Sequence, residues 1–208
     1  MKIPVTTKNN SYSELFCQSH FSFLQGASSP AELVQQAAAL GYKALAITDE
    51  CSLAGVVRAH HQIKEKQLPL KLIIGSLLVL NPQLRLVLLC PDKAAYSELC
   101  RIITQARRRA DKGSYQLAEW DIQRIQHCQI LWLPSGDQQT DLYWGNWLQQ
   151  HHVERLWLGA SRKLQSQDQF YLPYCQQLAQ KFQLPCCATG EVLMHQASRL
   201  PLQHSLSA

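Results

Sequence analysis

The sequence predicts an α/β fold in which strand–helix units repeat around a parallel sheet or barrel. Short apolar, strand-like runs alternate with helical patterns along most of the 208 residues, which is typical of repeated βα units. About six or seven units follow one another without an internal repeat or a long linker, and a series of that length favours a barrel. Barrels carry their chemistry at the carboxyl ends of the strands, so candidate functional residues are sought there.

The first strand–helix unit has clear start and stop signals. Residues 12–17 form a candidate strand. Ser28 or Ser29 is placed to cap the following helix, whose first turn contains Pro30. Apolar residues then recur at helical spacing, and Gly41 is a suitable residue to end the helix.

The remaining elements continue this alternation. The predicted strands are residues 43–48, 70–74, 77–80, 84–89, 129–133, 155–158 and 186–188. The predicted helices are residues 53–66, 92–109, 119–125, 142–150 and 170–182, followed by a helical ending. The strand at residues 43–48 delivers Asp49 and Glu50 at its carboxyl end, where a βα fold presents its chemistry.

The composition is that of a folded protein without membrane spans. Hydrophobic residues make up 46% and charged residues 17% of the chain, which argues against a disordered segment. No apolar run approaches the ~18 residues that a membrane span needs. The eight cysteines form no Cys-x-x-Cys pair and fall mostly in apolar segments, which indicates buried thiols in a reducing compartment. We therefore expect a cytoplasmic protein with no membrane partner.

The positive charge is concentrated in one predicted helix. The chain carries a formal net charge of +5, a mild excess that many proteins without nucleic-acid partners share. Arg101, Arg107, Arg108 and Arg109 lie close together, and their charges repel one another unless they are solvated or face phosphates. These four arginines are the candidate DNA contacts, and a solvated helix end is the alternative.

Several collinear segments are similar to those of one protein family. Residues 15–27 (LFCQSHFSFLQGA) and residues 39–55 (ALGYKALAITDECSLAG) resemble the first two motifs of the PHP (polymerase and histidinol phosphatase) domain of bacterial C-family DNA polymerases. The form TDECSLAGVVRAH is similar to the error-prone branch of these enzymes. Residues 71–75, 101–109 and 185–192 extend the resemblance along nearly the whole chain.

The resemblance implies a PHP-type (β/α)7 barrel, related to the TIM barrel, and leaves open whether the barrel is complete beyond Ser198. Intact family members bind two or three divalent metals that activate water for phosphoester hydrolysis, in some branches as a proofreading exonuclease. Such hydrolysis needs clustered His, Asp and Glu ligands, because the cations lower the pKa of water and neutralise developing charge.

Four of the family's ligand positions carry residues that cannot replace the family's ligand. The His-x-His pattern of the first motif is replaced by Phe16 and Gln18. The Gly-x-Glu pattern after the third strand has become Gly-Ser-Leu, with Leu77 at the position of the carboxylate. The final Asp-x-His pattern ends on Leu193 instead of a histidine. The resemblance thus predicts a degenerate metal site and no phosphoesterase activity.

Three acidic residues remain at ligand positions. Asp49 keeps its carboxylate, Glu50 replaces a histidine, and Glu191 replaces an aspartate. These hard oxygen donors without a nitrogen donor predict no tight two-metal centre, so we expect no cofactor, with weak Mg²⁺, Mn²⁺ or Zn²⁺ binding as the alternative. A second alternative places Asp49 and Glu50 as N-cap residues of the helix that begins near Leu53.

The resemblance leaves two functions open. The first is a non-catalytic structural module of an error-prone DNA polymerase, whose assembly synthesises DNA during damage tolerance and translesion repair. The second is a stand-alone PHP-type metal-dependent phosphoesterase. We expect residues 1–208 to form a single PHP domain, with residues 11–195 matching best and with the polymerase palm, fingers and clamp-binding regions absent. The expected partners are the remainder of the polymerase or other damage-tolerance polymerase components, and DNA.

Overall fold

The computed structural model describes residues 12–80, 83–163 and 165–207. The first residues of the expected single domain, 1–11, and its last residue therefore lie outside the described residues. The strands are β1 (Ser13–Glu14), β2 (Ala44–Ile47), β3 (Lys71–Val79), β4 (Arg85–Cys90), β5 (Gln129–Leu133), β6 (Leu156–Ser161) and β7 (Cys186–Thr189). The helices are α1 (Pro30–Ala39), α2 (Ala54–Glu65), α3 (Lys93–Arg108), α4 (Glu119–Gln123), α5 (Gln138–His152), α6 (Asp168–Lys181) and α7 (Leu200–Ser207).

The strands form one sheet in the order β1-β2-β3-β4-β5-β6-β7, which confirms the α/β barrel class. Neighbouring strands are parallel except for the pairs β3–β4 and β4–β5, which are antiparallel. The expectation of a wholly parallel sheet is therefore wrong at β4. Only residues 80–84 lie between β3 and β4, whereas a parallel crossover needs about a dozen residues or more, so this connection makes a hairpin.

The sheet closes onto itself through the segments that follow β1 and β7. Cys17 and Val192 form a parallel bridge. The Gln18 amide donates to the Val192 carbonyl at 2.9 Å, and the Val192 amide donates to the Phe16 carbonyl at 3.0 Å. The closing pair thus lies before Ser198, so the barrel holds its seven strands within the residues that the structure describes.

Local signals explain where individual elements begin. Ser29 caps α1 and forms a capping box with Glu32, as the Ser-Pro pattern predicts, and Pro30 occupies the first turn. Asp92 and Asp137 cap α3 and α5 in the same way through their side chains. The two strands predicted at residues 70–74 and 77–80 are one continuous strand, β3, because Gly75 sits in register opposite Leu89 without a turn.

Apolar side chains fill both faces of the sheet. Inside the barrel, buried side chains from alternating strand positions pack together, namely Phe16, Leu77, Val87, Leu131 and Leu133. Outside it, a larger cluster lies between the sheet and helices α3 to α6, and a smaller one lies under α1 and α2. None of the helices among the described residues is long and apolar enough to cross a membrane.

Candidate functional site

The mouth of the barrel gathers the ends of all seven strands. Because β4 runs antiparallel to its neighbours, its first residue, Arg85, lies opposite Val79 at the end of β3 and opposite Leu133 at the end of β5. Residues that follow β2, β6 and β7 reach the same end, including Asp49, Lys163 and Glu191. A metal centre of the PHP type would be built at this mouth.

Two of the replaced ligand positions belong to the apolar interior. Phe16 is fully buried and Leu77 is 3% exposed, and both pack in the cluster inside the barrel. The guanidinium carbon of Arg85 lies 5.8 Å from the centroid of the Phe16 ring, within the range of a cation–π contact. The Phe16 ring therefore contacts the guanidinium group of Arg85 at the position where the resemblance predicts a histidine.

Glu191 is held between two basic side chains. Its Oε1 atom lies 2.6 Å from Arg85 Nη2, and its Oε2 atom lies 2.7 Å from Lys163 Nζ. Burial alone raises the pKa of Glu191, but the charges and hydrogen bonds of Arg85 and Lys163 outweigh it and hold the pKa below its usual value. Both carboxylate oxygens are therefore paired with basic side chains of the chain itself.

The backbone at Glu191 is also unusual. Its φ angle of 47° lies in the left-handed region, which is uncommon for a residue with a side chain and costs of order 1 kcal/mol or more. The preceding Gly190 donates its amide to both carboxylate oxygens of the buried Glu14, at 3.0 and 2.9 Å. This contact ties the end of β7 to β1 and directs Glu191 towards Arg85.

Asp49 organises a loop. The Asp49 carboxylate accepts hydrogen bonds from the Ser19 amide at 2.7 Å, from the Ser19 hydroxyl at 2.9 and 3.0 Å, and from the Ser22 hydroxyl at 2.9 Å. Burial raises the pKa of Asp49, and these hydrogen bonds oppose the shift. Helix α2 approaches closely, because a Cβ atom on Gly55 would come within 2.4 Å of Asp49 Oδ2.

The Glu50 side chain has a different partner from that of Asp49. Its Oε1 atom accepts a hydrogen bond from the Tyr115 hydroxyl at 2.6 Å. Burial, together with this hydrogen bond and the charge of Glu50, raises the pKa of Tyr115. The alternative of an N-cap role for Asp49 and Glu50 is wrong, because Leu53 occupies the N-cap of α2 and no side chain caps it.

The structure therefore does not bring the three surviving acids together as a ligand set. Asp49 binds the loop after β1, Glu50 binds Tyr115, and Glu191 binds Arg85 and Lys163. Within residues 12–80, 83–163 and 165–207, no group of three or more His, Cys, Asp or Glu side chains is arranged to hold a metal ion. These donors do not fit the clustered two-metal centre that phosphoester hydrolysis needs.

A cavity of about 380 Å³ opens beside the Arg85–Glu191 pair. Its lining includes Ser161, Lys163, Asp168 and Tyr171. Ser161 shares a 2.7 Å hydrogen bond with the buried Thr189 hydroxyl, and none of the described residues that line the cavity is a histidine that could act as its base. The cavity thus has balanced charges and polar walls but lacks a nucleophile–base pair.

The four candidate DNA-contacting arginines have different environments. Arg107 donates to the Cys51 carbonyl and lies over the Tyr115 ring, at 5.3 Å from the centroid. Arg109 makes a two-pronged ion pair with Asp121 and lies over Trp120. Arg101 and Arg108 are exposed on α3. Arg107 and Arg109 therefore hold the segment after α3 in place, whereas Arg101 and Arg108 face solvent.

Comparison with known proteins identifies the domain. The family model of the PHP domain matches residues 14–164. This chain belongs to the PHP domain family. The match runs from the last residue of β1 to beyond β6, so it includes Phe16, Leu77 and Arg85.

Full-length relatives of this PHP domain are polymerases. The chain is 59% identical over 198 residues to an error-prone DNA polymerase of Vibrio campbellii, and 46% identical over 198 residues to one of Teredinibacter turnerae. It is 45% identical over 202 residues to an error-prone DNA polymerase of Pseudomonas aeruginosa. The match involves the N-terminal PHP region of these polymerases and 95–96% of this chain. The chain spans only 19% of the length of each relative.

Solved structures share the fold of this PHP domain at low sequence identity. One is a proposed metal-dependent phosphoesterase from Bifidobacterium adolescentis, with a TM-score of 0.53 and 13% identity, covering 94% of this chain and 96% of that one. A second is an amidohydrolase from Chromobacterium violaceum, with a TM-score of 0.54 and 13% identity, covering 88% of this chain and 87% of that one. These likenesses establish the barrel architecture alone.

The sequence analysis did not single out Arg85 and Lys163, which pair with Glu191, or Glu14, whose carboxylate binds the Gly190 amide. Arg85 is a charged residue at the start of an otherwise apolar strand, and Lys163 follows the carboxyl end of β6, which is where functional residues of a barrel are expected. Glu14 is an acid inside the first strand and is only 1% exposed. A charge in an apolar strand is the signal that could have singled out Arg85 and Glu14.

Proposed function

We propose that this chain is the PHP module of an error-prone DNA polymerase and acts as a non-catalytic scaffold for the remainder of that enzyme. The observation that carries the proposal is the Arg85–Glu191–Lys163 cluster, in which basic side chains neutralise the carboxylate that relatives would offer to metals. The relatives are error-prone DNA polymerases, of which the chain spans 19%, so the scaffold's partner is the rest of such a polymerase.

The apolar interior supports the same conclusion. Phe16 and Leu77 pack within the barrel instead of lining a polar centre. Exchanging a hydrated metal cluster for buried apolar surface gains hydrophobic stabilisation at about 25 cal/mol per Å² and removes the need for a bound ion. A barrel that folds without metal is suited to a scaffold role and lacks the ions that a PHP-type hydrolase needs.

The proposed setting follows from the relatives. Damage-induced synthesis across lesions, in the cytoplasm, is the activity of the assembled polymerase in this proposal, and other damage-tolerance components are its further partners. The chain itself contributes position and stability and needs no resident Mg²⁺, Mn²⁺ or Zn²⁺.

Metal analysis combined with a phosphoesterase screen tests the scaffold role. The purified chain is incubated with Mn²⁺, Zn²⁺ or Mg²⁺, desalted and analysed for bound metal, then assayed with p-nitrophenyl phosphate and with end-labelled single-stranded DNA. We expect metal far below one ion per chain and no hydrolysis. Stoichiometric metal together with hydrolysis would establish the stand-alone phosphoesterase instead.

Two matched variants separate true hydrolysis from contamination. Asp49→Asn and Glu191→Gln remove surviving acids at the mouth. An intrinsic phosphoesterase loses its activity in both variants, whereas a contaminating activity persists in both. The scaffold role also predicts that a Glu191→Gln change in the full-length polymerase lowers its thermal stability and leaves the kcat of primer extension nearly unchanged in the folded fraction.

A further inference from the structure

Two cysteines face each other on neighbouring strands. In the antiparallel pairing of β4 with β5, Leu88 lies opposite Ile130 and Leu89 lies opposite Gln129. Continuing this register by one residue places Cys90 opposite Cys128. Both side chains belong to the outer face of the sheet, where Cys128 is part of the apolar cluster beneath α3 and Cys90 packs against it.

This register suits a disulfide bond. Directly opposed residues in an antiparallel pair have Cα atoms about 4.5–5.5 Å apart. Disulfides join residues whose Cα atoms are about 4.4–6.8 Å apart and whose Cβ atoms are on the same side. Because both residues lie on one face of the sheet, closing the bond requires side-chain rotation and no change in strand pairing.

The partner cysteine is held firmly in place. The Cys128 amide donates to Glu98 Oε2 at 2.9 Å, and its thiol donates to the Ala95 carbonyl at 3.3 Å. The Gln126 and His127 amides donate to the same carboxylate at 2.8 and 3.0 Å. The backbone that presents Cys128 is therefore fixed against α3, so the two sulfur atoms remain neighbours.

The two thiols differ in acidity. Interaction with the Cys128 thiol lowers the pKa of Cys90, although burial opposes the shift. The same interaction, followed by burial, raises the pKa of Cys128. Because the thiolate is the reactive form and Cys90 is also the less buried of the two, Cys90 is the nucleophile of the pair and Cys128 is the thiol that resolves it.

Cys90 can be reached from solvent. It is half-buried, whereas Cys128 is fully buried. Cys90 lines an open cleft of about 560 Å³ together with Lys71, Lys93 and Tyr96. The two lysines outnumber Asp92, the acidic residue in the same lining, and the net positive charge attracts the carboxylates of a small acidic thiol or disulfide.

We propose that Cys90 and Cys128 form a redox modification site that an acidic low-molecular-weight disulfide of the glutathione type converts into an intramolecular disulfide. The Cys90 thiolate attacks one sulfur of the small disulfide, and the S–S bond breaks to release one small thiolate. Cys128 then gives up its proton and attacks Cys90 Sγ, which expels the second small thiolate. The two cysteines lose two electrons and two protons in total, and these leave as two molecules of small thiol.

The second step is favoured once the first has occurred. Neutralising Cys90 in the mixed disulfide removes the two interactions through which its thiolate raises the pKa of Cys128. Cys128 then loses its proton more readily, and its sulfur already lies beside the bond to be attacked. The mixed disulfide at Cys90 is therefore a short-lived intermediate when Cys128 is present.

Peptide mapping of the oxidised chain tests the site. The reduced 208-residue chain is incubated with oxidised glutathione, alkylated, digested without reductant and analysed by mass spectrometry. We expect a cross-linked peptide pair joining Cys90 to Cys128, reversed by reduced glutathione. Cys128→Ala is expected to trap glutathione on Cys90, and Cys90→Ser to leave Cys128 without either modification.

Two controls keep the result specific. Cys100→Ser removes a neighbouring thiol on α3 and is expected to leave the cross-link unchanged. In urea the preference for the Cys90–Cys128 pair is expected to disappear, because it depends on the folded register. Recovery of Cys90 and Cys128 as free thiols from the native wild-type chain, with the exposed Cys186 glutathionylated in the same sample, would overturn the proposal.

Discussion

Arg85 and Glu191 are 106 positions apart in the chain, yet Arg85 Nη2 lies 2.6 Å from Glu191 Oε1 across the barrel mouth. The pair joins the start of β4 to the segment after β7, and Lys163 completes it from the end of β6. The mouth of this PHP barrel is thus held together by ion pairs between side chains of three different segments.

Replacing Arg85 with Met is expected to destabilise the fold by about 2 kcal/mol, because it leaves a partly buried carboxylate with one cation fewer. Lys163→Met is expected to cost less than about 1 kcal/mol, since the Lys163 side chain is 45% exposed and screened by water. Urea unfolding at neutral pH measures both values. Lys66→Met, at an exposed ion pair with Glu65, is the matched control and is expected to change stability by less than about 0.5 kcal/mol.

A double-mutant cycle distinguishes pairing from packing. If Arg85 acts through Glu191, the change Arg85→Met costs much less in a Glu191→Gln background than in the wild-type chain. Equal costs in both backgrounds would show that Arg85 stabilises the barrel through its contact with Phe16 and not through the carboxylate.

Gly190→Ala is expected to destabilise the protein by about 1–3 kcal/mol, because the added methyl group would displace the buried Glu14 carboxylate from its hydrogen bonds. A Cβ atom at Gly190 would lie 2.5 Å from Glu14 Oε2, and the Glu14 carboxylate accepts the hydrogen bonds that close the barrel. Thermal unfolding measures the loss. In a Glu14→Ala background, Gly190→Ala is expected to cost less, since the carboxylate that the methyl group would meet is gone. An equal cost in both backgrounds would show that the methyl group clashes with atoms other than those of Glu14.

His152 links stability to mild acid. It is 2% exposed, and burial, with the nearby charges of His151 and Arg155, lowers the pKa of His152 to about 4. Its unfolded value is about 6.5. Between these values the unfolded chain binds more protons than the folded chain, so stability falls as the pH drops from about 6.5 towards 4, by up to about 3 kcal/mol.

Replacing His152 with Leu is expected to remove that portion of the pH dependence. Urea midpoints measured from pH 7 to pH 4.5 provide the comparison with the wild-type chain. The exposed His61 beside Glu65 is the matched control, and His61→Gln is expected to keep the wild-type slope. A His152→Leu profile as steep as that of the wild type would assign the acid sensitivity to other groups.

Local patterns were sufficient to predict most of the elements. The Ser29–Pro30 start of α1 and the apolar strand β2 follow from signals within a few residues, and their positions are confirmed. The antiparallel direction of β4 was also within reach, because residues 80–84 are too few for a crossover.

The arrangement at the mouth was beyond sequence reasoning. Asp49 follows a strand, as a metal ligand would, yet its hydrogen bonds go to Ser19 and Ser22, which the fold of the loop after β1 presents to it. The meeting of Arg85 with Glu191 depends on barrel closure, since no local pattern connects residues 106 positions apart. The resemblance predicted which ligand positions are altered, and it could not show which contacts the side chains at the mouth make instead.

The arginines of α3 separate into a structural and a solvent-facing pair. Arg109→Ala is expected to cost about 1–2 kcal/mol, because burial alone raises the pKa of Asp121 whereas the hydrogen bonds and charge of Arg109 hold it below its usual value. Arg101→Ala and Arg108→Ala are each expected to change stability by less than about 0.5 kcal/mol.

If α3 contacts DNA, the Arg101→Ala/Arg108→Ala double variant binds a single-stranded oligonucleotide more weakly than the wild-type chain. The slope of log K against the logarithm of the salt concentration then decreases in magnitude by about 1 to 2. Fluorescence anisotropy over a salt series measures that slope, and an unchanged slope removes this helix face from the DNA-contacting surface.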